Sequence, residues 1–388
     1  MTKVLITGGA GFIGSTIVNQ LSGMGEYEIT VLDSMSSQIH GEDWESSYLY
    51  QSIKDKCRFI LGDVRNFADV EKAINDNEII VHLAAETGTG QSMYQINRYN
   101  EVNVMGTSNL FQALVSNKKN KVKKMILSSS RSVYGEGKYY CSECGEVYPK
   151  GRCREAMLLK DFSMYCPKCG TEVAVVPTTE DSPLQPSSLY AFTKVAQEKM
   201  FETMCPALNI EYTIFRFQNV YGAGQSLKNP YTGILSVFSS LMLDNKSVNI
   251  FENGLESRDF IHVSDIARGV IGAFDSKASS GEIINLGSGK GTSVLEIANF
   301  LKERYESSSE LNVTGDFRVG DIAHNIADIS NARKSLMFNP KISLQEGLSE
   351  FCDWVLQQET DNSGYNASLD EMEKTGMFIR NHLTEQTR

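Results

Sequence analysis

A glycine-rich loop, GGAGFIG, is the feature of this chain that most constrains its fold. The apolar run VLIT (residues 4–7) predicts a strand, and the loop then places Gly8, Gly11 and Gly14 three residues apart at the start of an amphipathic stretch over 12–24. Glycine allows a tight turn and brings backbone amides, at the positive end of a helix, close to a pyrophosphate. A glycine pattern alone is weak, but between a strand and a helix it indicates a dinucleotide-binding unit.

The dinucleotide is expected to be NAD. Asp33 ends the second strand-like run, EITVLD (28–33), where its carboxylate can accept a hydrogen bond from the adenosine ribose 2′-hydroxyl. No arginine follows it closely to bind a 2′-phosphate, which disfavours NADP. Asp63 and Val64, after the third strand, are expected to flank the adenine. The alternative is a structural strand–turn–helix that binds no ligand.

The first 135 residues alternate apolar runs with amphipathic stretches. This alternation predicts a parallel sheet covered on both faces, with ligands bound beyond the carboxyl ends of the strands. We therefore expect an α/β fold, a Rossmann-type doubly wound parallel sheet. The predicted strands lie at 4–7, 28–33, 57–63, 78–85 and 124–130, and the predicted helices at about 12–24, 66–75 and 99–117.

Composition narrows the partners. A net charge of -11 over 388 residues disfavours nucleic acid, which requires a basic surface. No run of 18 or more apolar residues is present, so no membrane-spanning helix is expected. The beginning, MTKVLITGGAGFIG, has no cleavage pattern of a signal peptide, and we expect a cytoplasmic protein that acts on small molecules.

Tyr190 and Lys194 lie four residues apart in a predicted helix and share one face of it. A tyrosine with a pKa near ~10 is a poor base at neutral pH. A nearby ammonium group and a cationic nicotinamide ring favour the phenolate, so we expect the pKa of Tyr190 to be lowered. The phenolate can take a proton from a sugar hydroxyl while hydride leaves the same carbon for NAD. Ser130 ends the fifth strand, where its hydroxyl can bind the same oxygen.

Two CxxC pairs predict a metal site. Cys141 and Cys144, then Cys166 and Cys169, have the spacing of a tetrahedral site of four thiolates. Four thiolates leave no position open for water, so we expect structural zinc in a zinc ribbon, placed near the substrate entrance. A redox-active dithiol is the alternative. Cys153 is interpreted as a spare small side chain.

These features divide the chain into an NAD-binding Rossmann domain (1–135 and 177–222), a zinc-ribbon insertion (136–176) and a smaller mixed C-terminal lobe (223–360). That lobe is expected to bind substrate and to return in part to the Rossmann domain. Residues 361–388 are polar and predict a C-terminal tail with one loosely attached helix.

Several motifs together resemble the extended short-chain dehydrogenase/reductase family, and within it the nucleotide-sugar epimerases and dehydratases. The resemblance covers roughly residues 3–360. It implies that Ser130, Tyr190 and Lys194 are the catalytic residues and that a nucleotide-diphosphate sugar is the substrate. The motifs are TGGAGFIG, the aspartates at 33 and 63, HLAA (82–85), SSSRSVYG (128–135), YAFTK (190–194), RFQNVYG (216–222) and RDFIHVSDIA (258–267).

The resemblance also implies binding residues and an assembly. Substrate contacts are expected from Asn219, Arg258 and Arg318. Packing of the helices near 100–117 and 188–205 against a second copy implies a homodimer. The cofactor contacts that it implies, besides the residues above, are Phe12, Ile13, Leu83, Ala84, Ala85, Tyr190 and Lys194.

The position after the catalytic serine separates two reactions. Sugar 4,6-dehydratases carry an Asp–Glu pair there, because eliminating water needs an acid and a base. Here Arg131 and Ser132 occupy these positions, which disfavours dehydration. The closer resemblance is to proteins like dTDP-L-rhamnose 4-epimerase. Ala323 departs from their pattern, because a GDIRH motif with arginine at this position is expected. The resemblance is carried by GQSMYQINRY (90–99), GQSLKNPYTG (224–233), the paired CxxC insertion and RVGDIAHNIADI.

We therefore expect a nucleotide-sugar 4-epimerase that oxidises C4 transiently with bound NAD, acting on dTDP-L-rhamnose or a related NDP-6-deoxyhexose. An NAD-dependent nucleotide-sugar reductase or dehydrogenase is the alternative enzyme. An NAD-responsive scaffold, whose zinc ribbon binds a protein or nucleic acid through Lys150, Arg152, Arg154 and Lys168, is the alternative without catalysis. The intact Ser–Tyr–Lys set disfavours the scaffold.

Overall fold

A computed structural model describes residues 1–227, 233–359 and 363–381. Residues 228–232 of the GQSLKNPYTG motif, residues 361–362 and residues 382–388 of the tail lie outside the described residues. The strands are, in chain order, β1 (Thr2–Thr7), β2 (Tyr27–Asp33), β3 (Arg58–Leu61), β4 (Ile79–His82), β5 (Lys124–Ser130), β6 (Tyr139–Cys141), β7 (Gly145–Val147), β8 (Ala174–Val175), β9 (Glu211–Phe217), β10 (Asn219–Tyr221), β11 (Val248–Ile250), β12 (Ser257–His262), β13 (Glu282–Leu286), β14 (Gly291–Ser293), β15 (Leu311–Val313), β16 (Phe317–Arg318), β17 (His324–Asn325) and β18 (Phe378–Ile379).

Helices connect the strands, and short 3₁₀ turns span Trp44–Ser46 and Arg131–Tyr134. A π-helical turn at Asn100–Met105 joins two of the helices where the sequence predicts one. The helices are α1 (Phe12–Met24), α2 (Ser37–His40), α3 (Tyr48–Ile53), α4 (Phe67–Ile74), α5 (Thr89–Ser92), α6 (Ile96–Tyr99), α7 (Gly106–Ser116), α8 (Arg154–Leu158), α9 (Leu189–Ala207), α10 (Ile234–Leu243), α11 (Val263–Gly272), α12 (Val294–Arg304), α13 (Ser330–Leu336), α14 (Leu344–Val355) and α15 (Ser363–Lys374).

A seven-stranded parallel sheet forms the centre, in the order β13-β9-β5-β4-β1-β2-β3. The predicted α/β Rossmann fold is therefore confirmed. The chain runs outward from β1 through β2 and β3, then returns to β4 on the other side of β1. The crevice between β1 and β4, where the strand order reverses, is where ligands bind in such sheets.

Helices cover both faces of this sheet, as its buried strands require. On one face α1 and α11 pack through Ile17, Leu21 and Val270. On the other, α4, α7 and α9 pack through side chains such as Leu110 and Phe201. Both layers fix the carboxyl ends of the strands, and so fix the loops that carry the site.

Smaller elements form a C-terminal lobe and an insertion. In the lobe, β12 pairs with β10, β14 and β17, and β11 pairs with β15. The insertion is a three-stranded sheet in the order β7-β6-β8. Two cysteines of the predicted metal site, Cys141 and Cys166, are buried there in a cluster that also contains Ala323 of the lobe.

The prediction of a loosely attached C-terminal helix is wrong for residues 363–381. Strand β18 pairs antiparallel with β16, and the ring of Phe378 lies 5.1 Å from that of Phe251. The backbone amide of Asn381 donates to Oδ1 of Asp316 at 2.8 Å. The segment is polar on average, but its few apolar side chains, including Leu369, are buried against the lobe.

Candidate active site

A cavity of about 800 Å³ lies at the carboxyl ends of the central strands. It extends from the glycine-rich loop to the start of α9. Every residue that the sequence predicts to contact the cofactor lines it. These residues are Gly8, Gly11, Phe12, Ile13, Gly14, Asp33, Asp63, Val64, Leu83, Ala84, Ala85, Tyr190 and Lys194.

The glycine-rich loop leaves no room for a side chain at Gly8 or at Gly14. Gly8 has a φ of +69°, and a Cβ atom there would lie 2.7 Å from the backbone nitrogen of Ala84. A Cβ atom on Gly14 would lie 2.6 Å from Cα of Gly9. Helix α1 begins at Phe12, so its amides face the cavity at the helix's positive end. The loop therefore fits a bound pyrophosphate, as a dinucleotide supplies.

Asp33 is fixed by the loop that it serves. Its Oδ2 accepts the amide of Ala10 at 2.9 Å, and its Oδ1 accepts the amide of Met35 at 3.0 Å. The two hydrogen bonds hold the carboxylate at the end of β2, on the cavity wall. Each oxygen keeps further acceptor capacity, which a ribose hydroxyl can use.

The predicted catalytic side chains come together on the same wall. The hydroxyl of Ser188 caps the start of α9 by accepting the amide of Ala191 at 3.2 Å. One turn separates Tyr190 from Lys194, whose Nζ lies 5.9 Å from the centre of the tyrosine ring. With Ser130 at the end of β5, both line the cavity that the glycine loop lines.

The expected lowering of the Tyr190 pKa is not produced by the protein alone. Burial raises the pKa of this phenol, although its hydrogen bond with Ser130 and the charge of Arg131 act in the opposite direction. Burial also lowers the pKa of Lys194 to about 7. The expectation counted the ammonium charge but not the desolvation of two side chains in one closed corner, and desolvation is the larger effect.

A buried network of charged and polar side chains holds strand β5, which ends at Ser130. Glu198 on α9 makes an ion pair with Arg216 on β9 at 2.8 Å and accepts the hydroxyl of Ser129. Arg216 also donates to the Tyr134 hydroxyl at 2.8 Å. Because the charges are paired and fully hydrogen-bonded, the network can hold β5, β9 and α9 in fixed register.

A second cavity, of about 300 Å³, adjoins the first and is lined by all three predicted substrate contacts, Asn219, Arg258 and Arg318. The two cavities share Val220, Gln225 and Gly233 in their walls. A ligand in the second cavity can therefore reach the catalytic side chains of the first.

Arg131 is a cavity residue that the sequence analysis did not propose. Its Nε donates to Oδ1 of Asn219 at 2.9 Å, and it lines the second cavity directly after Ser130. Burial, and then the charge of Arg258, lower the pKa of its guanidinium to about 10. The sequence did contain a signal for this role, because Arg131 takes the position at which dehydratases carry a catalytic carboxyl group.

The C-terminal segment supplies part of the same wall, which the sequence analysis also missed. Tyr365 and Met372 of α15, with Met377 before β18, line the second cavity. Strand β16, which carries Arg318, is the partner of β18. No motif marks these residues, because a polar helix with a few apolar side chains has no distinctive spacing.

The four predicted metal-ligating cysteines meet. Their sulfur atoms all lie within 4.8 Å of one another, as a tetrahedral site with metal–sulfur distances of ~2.3 Å requires after small adjustment. Gly145 and Gly170, which follow the two pairs, have φ values of +73° and +76°. These values allow a tight turn after each pair of cysteines. The cluster fits zinc by its donor set.

Three histidines of the chain make structural hydrogen bonds. His82 is buried between the hydroxyls of Thr7 and Thr107, and burial lowers its pKa to about 3. His262 caps α11 by accepting the amide of Ser264 at 3.3 Å. His324 bonds the hydroxyl of Ser257 at 2.8 Å.

Comparisons with known proteins agree with this geometry. The model of the NAD dependent epimerase/dehydratase family matches residues 4–154 and 163–287. The chain is 35% identical to dTDP-L-rhamnose 4-epimerase of Burkholderia thailandensis over 361 residues, which are 92% of this chain and 95% of that protein. It is similar in structure, with a TM-score of 0.74 and 26% identity, to UDP-glucuronic acid 4-epimerase from Bacillus cereus in complex with UDP-glucuronic acid and NAD, covering 92% of this chain and 99% of that one. UDP-glucose 4-epimerase of Thermotoga maritima gives a TM-score of 0.73 at 26% identity, with the same two coverages.

No helix within the described residues combines the length and the apolar character needed to cross a membrane.

Proposed function

Because the chain belongs to the NAD-dependent epimerase/dehydratase family, we propose that it is a nucleotide-sugar 4-epimerase with NAD as its resident cofactor. We propose dTDP-L-rhamnose or a related NDP-6-deoxyhexose as its substrate. The observation that carries the proposal is that Ser130, Tyr190 and Lys194 line one cavity with the glycine loop, next to a cavity lined by arginines.

The catalytic residues act on the C4 hydroxyl of the sugar. Bound NAD+ would accept a hydride from C4 and return it to the other face, and its positive ring would favour the phenolate. Tyr190 takes the hydroxyl proton and later returns it to the same oxygen, so that no proton is gained or lost overall. Ser130 donates a hydrogen bond to that oxygen, and Lys194 holds the tyrosine's corner positively charged when protonated.

The arginines of the second cavity hold the diphosphate. Arg318 projects from β16, with its guanidinium carbon 5.3 Å from the centre of the Phe251 ring. Arg258 is held by the backbone oxygens of Ile322 and Ala323 at 2.8 and 2.9 Å. Because protein oxygens occupy both Nη atoms of Arg258, this residue supplies mainly positive charge. Nε of Arg318 is buried with no partner among the described residues and can donate to a phosphate oxygen.

Arg131 distinguishes epimerisation from dehydration. A dehydratase needs an acid and a base beside the catalytic serine, but here a guanidinium and the hydroxyl of Ser132 occupy those places. The Ser132 hydroxyl donates to Ser130 at 3.0 Å. Because neither of these two positions carries a carboxyl group, water elimination is disfavoured.

The test is turnover without added cofactor. Purified protein is incubated with dTDP-L-rhamnose, and in parallel with UDP-, GDP- and CDP-sugars, and the products are separated by chromatography. We expect a C4 epimer from at least one of them with no change in absorbance at the NADH band. In a parallel incubation with added NADH, a stoichiometric loss of NADH would instead support the reductase alternative. The absence of any C4 epimer would refute the proposal.

We also propose that Cys141, Cys144, Cys166 and Cys169 hold a structural zinc ion, because their sulfur atoms converge in a polar insertion that has little core of its own. For assembly we propose a homodimer through α6, α7 and α9 and the π-helical turn. Three large apolar side chains there, Ile96, Met105 and Phe192, are each more than half exposed.

A further inference from the structure

The guanidinium of Arg152, in the cysteine-bearing insertion, is buried against the wall of the second cavity. Its side chain is 2% exposed. It makes an ion pair with Glu252, and its Nη2 donates to the backbone oxygen of Asp321 at 3.0 Å. Glu252 and Asp321 both line the cavity, whereas no residue of 136–176, all of which the structure describes, lines it directly. Arg152 thus links the insertion to two residues of the cavity wall.

A series of contacts links Arg152 to Arg258, which is a proposed substrate-binding residue. Asp321, whose backbone it binds, accepts Nη2 of Arg258 on its Oδ1 at 3.1 Å. On the other side, Nε of Arg152 lies 4.0 Å from Oε1 of Glu136, and Oε2 of Glu136 accepts the amide of Ala323 at 2.9 Å. Removing this cation would leave the nearly inaccessible carboxylate of Glu252 without its ion-pair partner and would take away one of the positive charges that act on Glu136.

The metal cluster holds the same segment independently. Ala323 is buried in one apolar cluster with two of the sulfur-bearing residues, Cys141 and Cys166. The insertion therefore contacts residues 321–323 at three places: the Arg152 guanidinium, the Glu136 carboxylate and the apolar cluster that contains the cysteines. Since the cysteines form part of the small apolar cluster of this polar insertion, we expect its order to depend on a bound metal.

We infer that Arg152 is a positioning residue for Arg258 and the diphosphate end of the substrate, and that the cysteine cluster, by ordering the insertion, links metal loading to substrate affinity. The inference rests on the proposed function, because it takes the second cavity as the nucleotide-sugar cavity. It assigns the insertion a role in substrate binding rather than in stability alone.

The first test compares Arg152→Met with Arg154→Met, a matched control at an exposed position two residues away. Binding of dTDP, UDP, GDP and CDP is measured by calorimetry on the full chain, with KM and kcat for any sugar that turns over. We expect Arg152→Met to weaken binding of the preferred nucleotide at least ~10-fold and to raise KM similarly, with kcat changed less than ~3-fold. The control should match the wild type.

Arg152→Lys covers the case in which the methionine variant does not fold. An ammonium keeps the charge but lacks the planar fork that offers one nitrogen to Glu252 and another to the Asp321 carbonyl, so we expect roughly 3-fold weaker binding. The metal is tested by Cys144→Ser against Cys153→Ser, since Cys153 lies outside the cluster. Only the first should lose zinc and weaken nucleotide binding, while bound NAD stays the same in both.

Two results are decisive against the inference. The inference is overturned if folded Arg152→Met binds nucleotide as tightly as the wild type. If Arg152→Met does not fold, the same result with Arg152→Lys overturns it. In both cases the proposed function stays intact. A zinc-free Cys144→Ser protein with wild-type affinity overturns the link to metal. Failure of the wild type to bind any of the four nucleotides would overturn the proposed function together with the inference.

Discussion

Lys194 lies one helical turn from Tyr190, and its ammonium group donates to the backbone oxygen of Ser128 at 2.8 Å rather than to the phenol. The lysine therefore acts on the tyrosine through space, with its nitrogen 5.9 Å from the ring centre. That arrangement ties the charge of α9 to the end of β5, where Ser130 lies. The catalytic corner is consequently fixed by backbone as well as by side chains.

Replacing Tyr190 by phenylalanine tests the proton acceptor. We expect Tyr190→Phe to lower kcat by ~10²–10⁴-fold, the usual contribution of a positioned acid–base group. Bound NAD, measured after denaturation, should be unchanged. Tyr140→Phe is the matched control, since Tyr140 is 51% exposed in the insertion. Turnover that survives in Tyr190→Phe would contradict the proposed mechanism.

The buried Lys194 should make stability depend on pH. In the folded chain its pKa is about 7, whereas its ordinary value is 10.5, so between these values the unfolded state binds more protons. The free energy of unfolding therefore rises with pH across this window. Lys194→Met removes the effect. We expect the Tm of the wild type, relative to that of the variant, to rise from about pH 7 to about pH 10. A difference in Tm that stays constant over this range would contradict the lowered pKa of Lys194.

Arg131 should determine substrate affinity. Its loss removes a charge-assisted hydrogen-bond donor from the cavity and frees Asn219, so we expect Arg131→Met to raise KM roughly 10- to 100-fold. Arg131→Lys should recover part of this loss, because it keeps the charge without the planar donor pair. KM is measured with the nucleotide sugar that the turnover test shows to be epimerised. A wild-type KM in Arg131→Met would place the diphosphate elsewhere.

The C-terminal wall can be tested with one charge. Met372 is 4% exposed and lines the second cavity, whereas Met337 is 88% exposed. We expect Met372→Glu to raise KM at least ~10-fold, because an ionised carboxylate near the diphosphate is both desolvated and repelled. Met337→Glu should change nothing. Calorimetry with the preferred nucleotide provides a second measurement, and equal affinities would remove the segment from the site.

Zinc content checks the cysteine cluster directly. Elemental analysis should give one zinc per chain in the wild type and in Cys153→Ser, and much less in Cys169→Ser. We expect chelation to lower Tm, since metal binding and folding of such insertions are linked. A folded wild-type preparation without any metal would refute the zinc assignment.

The Rossmann sheet was predictable because its signals are local. The strand before Gly8, the alternation of apolar runs and the aspartate at 33 each depend on residues close in sequence. The placement of Ser130, Tyr190 and Lys194 followed for the same reason, since each lies at the end of a strand or the start of a helix that the pattern identifies.

The second cavity was only partly predictable because its residues are distant in sequence. Arg152, Glu252 and Asp321 meet only through the packing of the insertion on the lobe. Met372 and Arg318 line the same cavity, although 54 residues separate them in sequence, and pairing of β18 with β16 joins their segments. The pKa of Tyr190 was misjudged for a related reason, since desolvation depends on the whole enclosure and no spacing reports it.

The pairing of β18 with β16 has a practical consequence for handling the protein. A truncation that removes Phe378 and Ile379 would take away the strand partner of β16, which carries Arg318, and we expect it to weaken substrate binding. Met1 is 85% exposed at the opposite end of the chain, so an amino-terminal fusion is the safer choice for the binding experiments. Proteolytic trimming of the carboxyl terminus should likewise be excluded by mass spectrometry before any preparation is judged inactive.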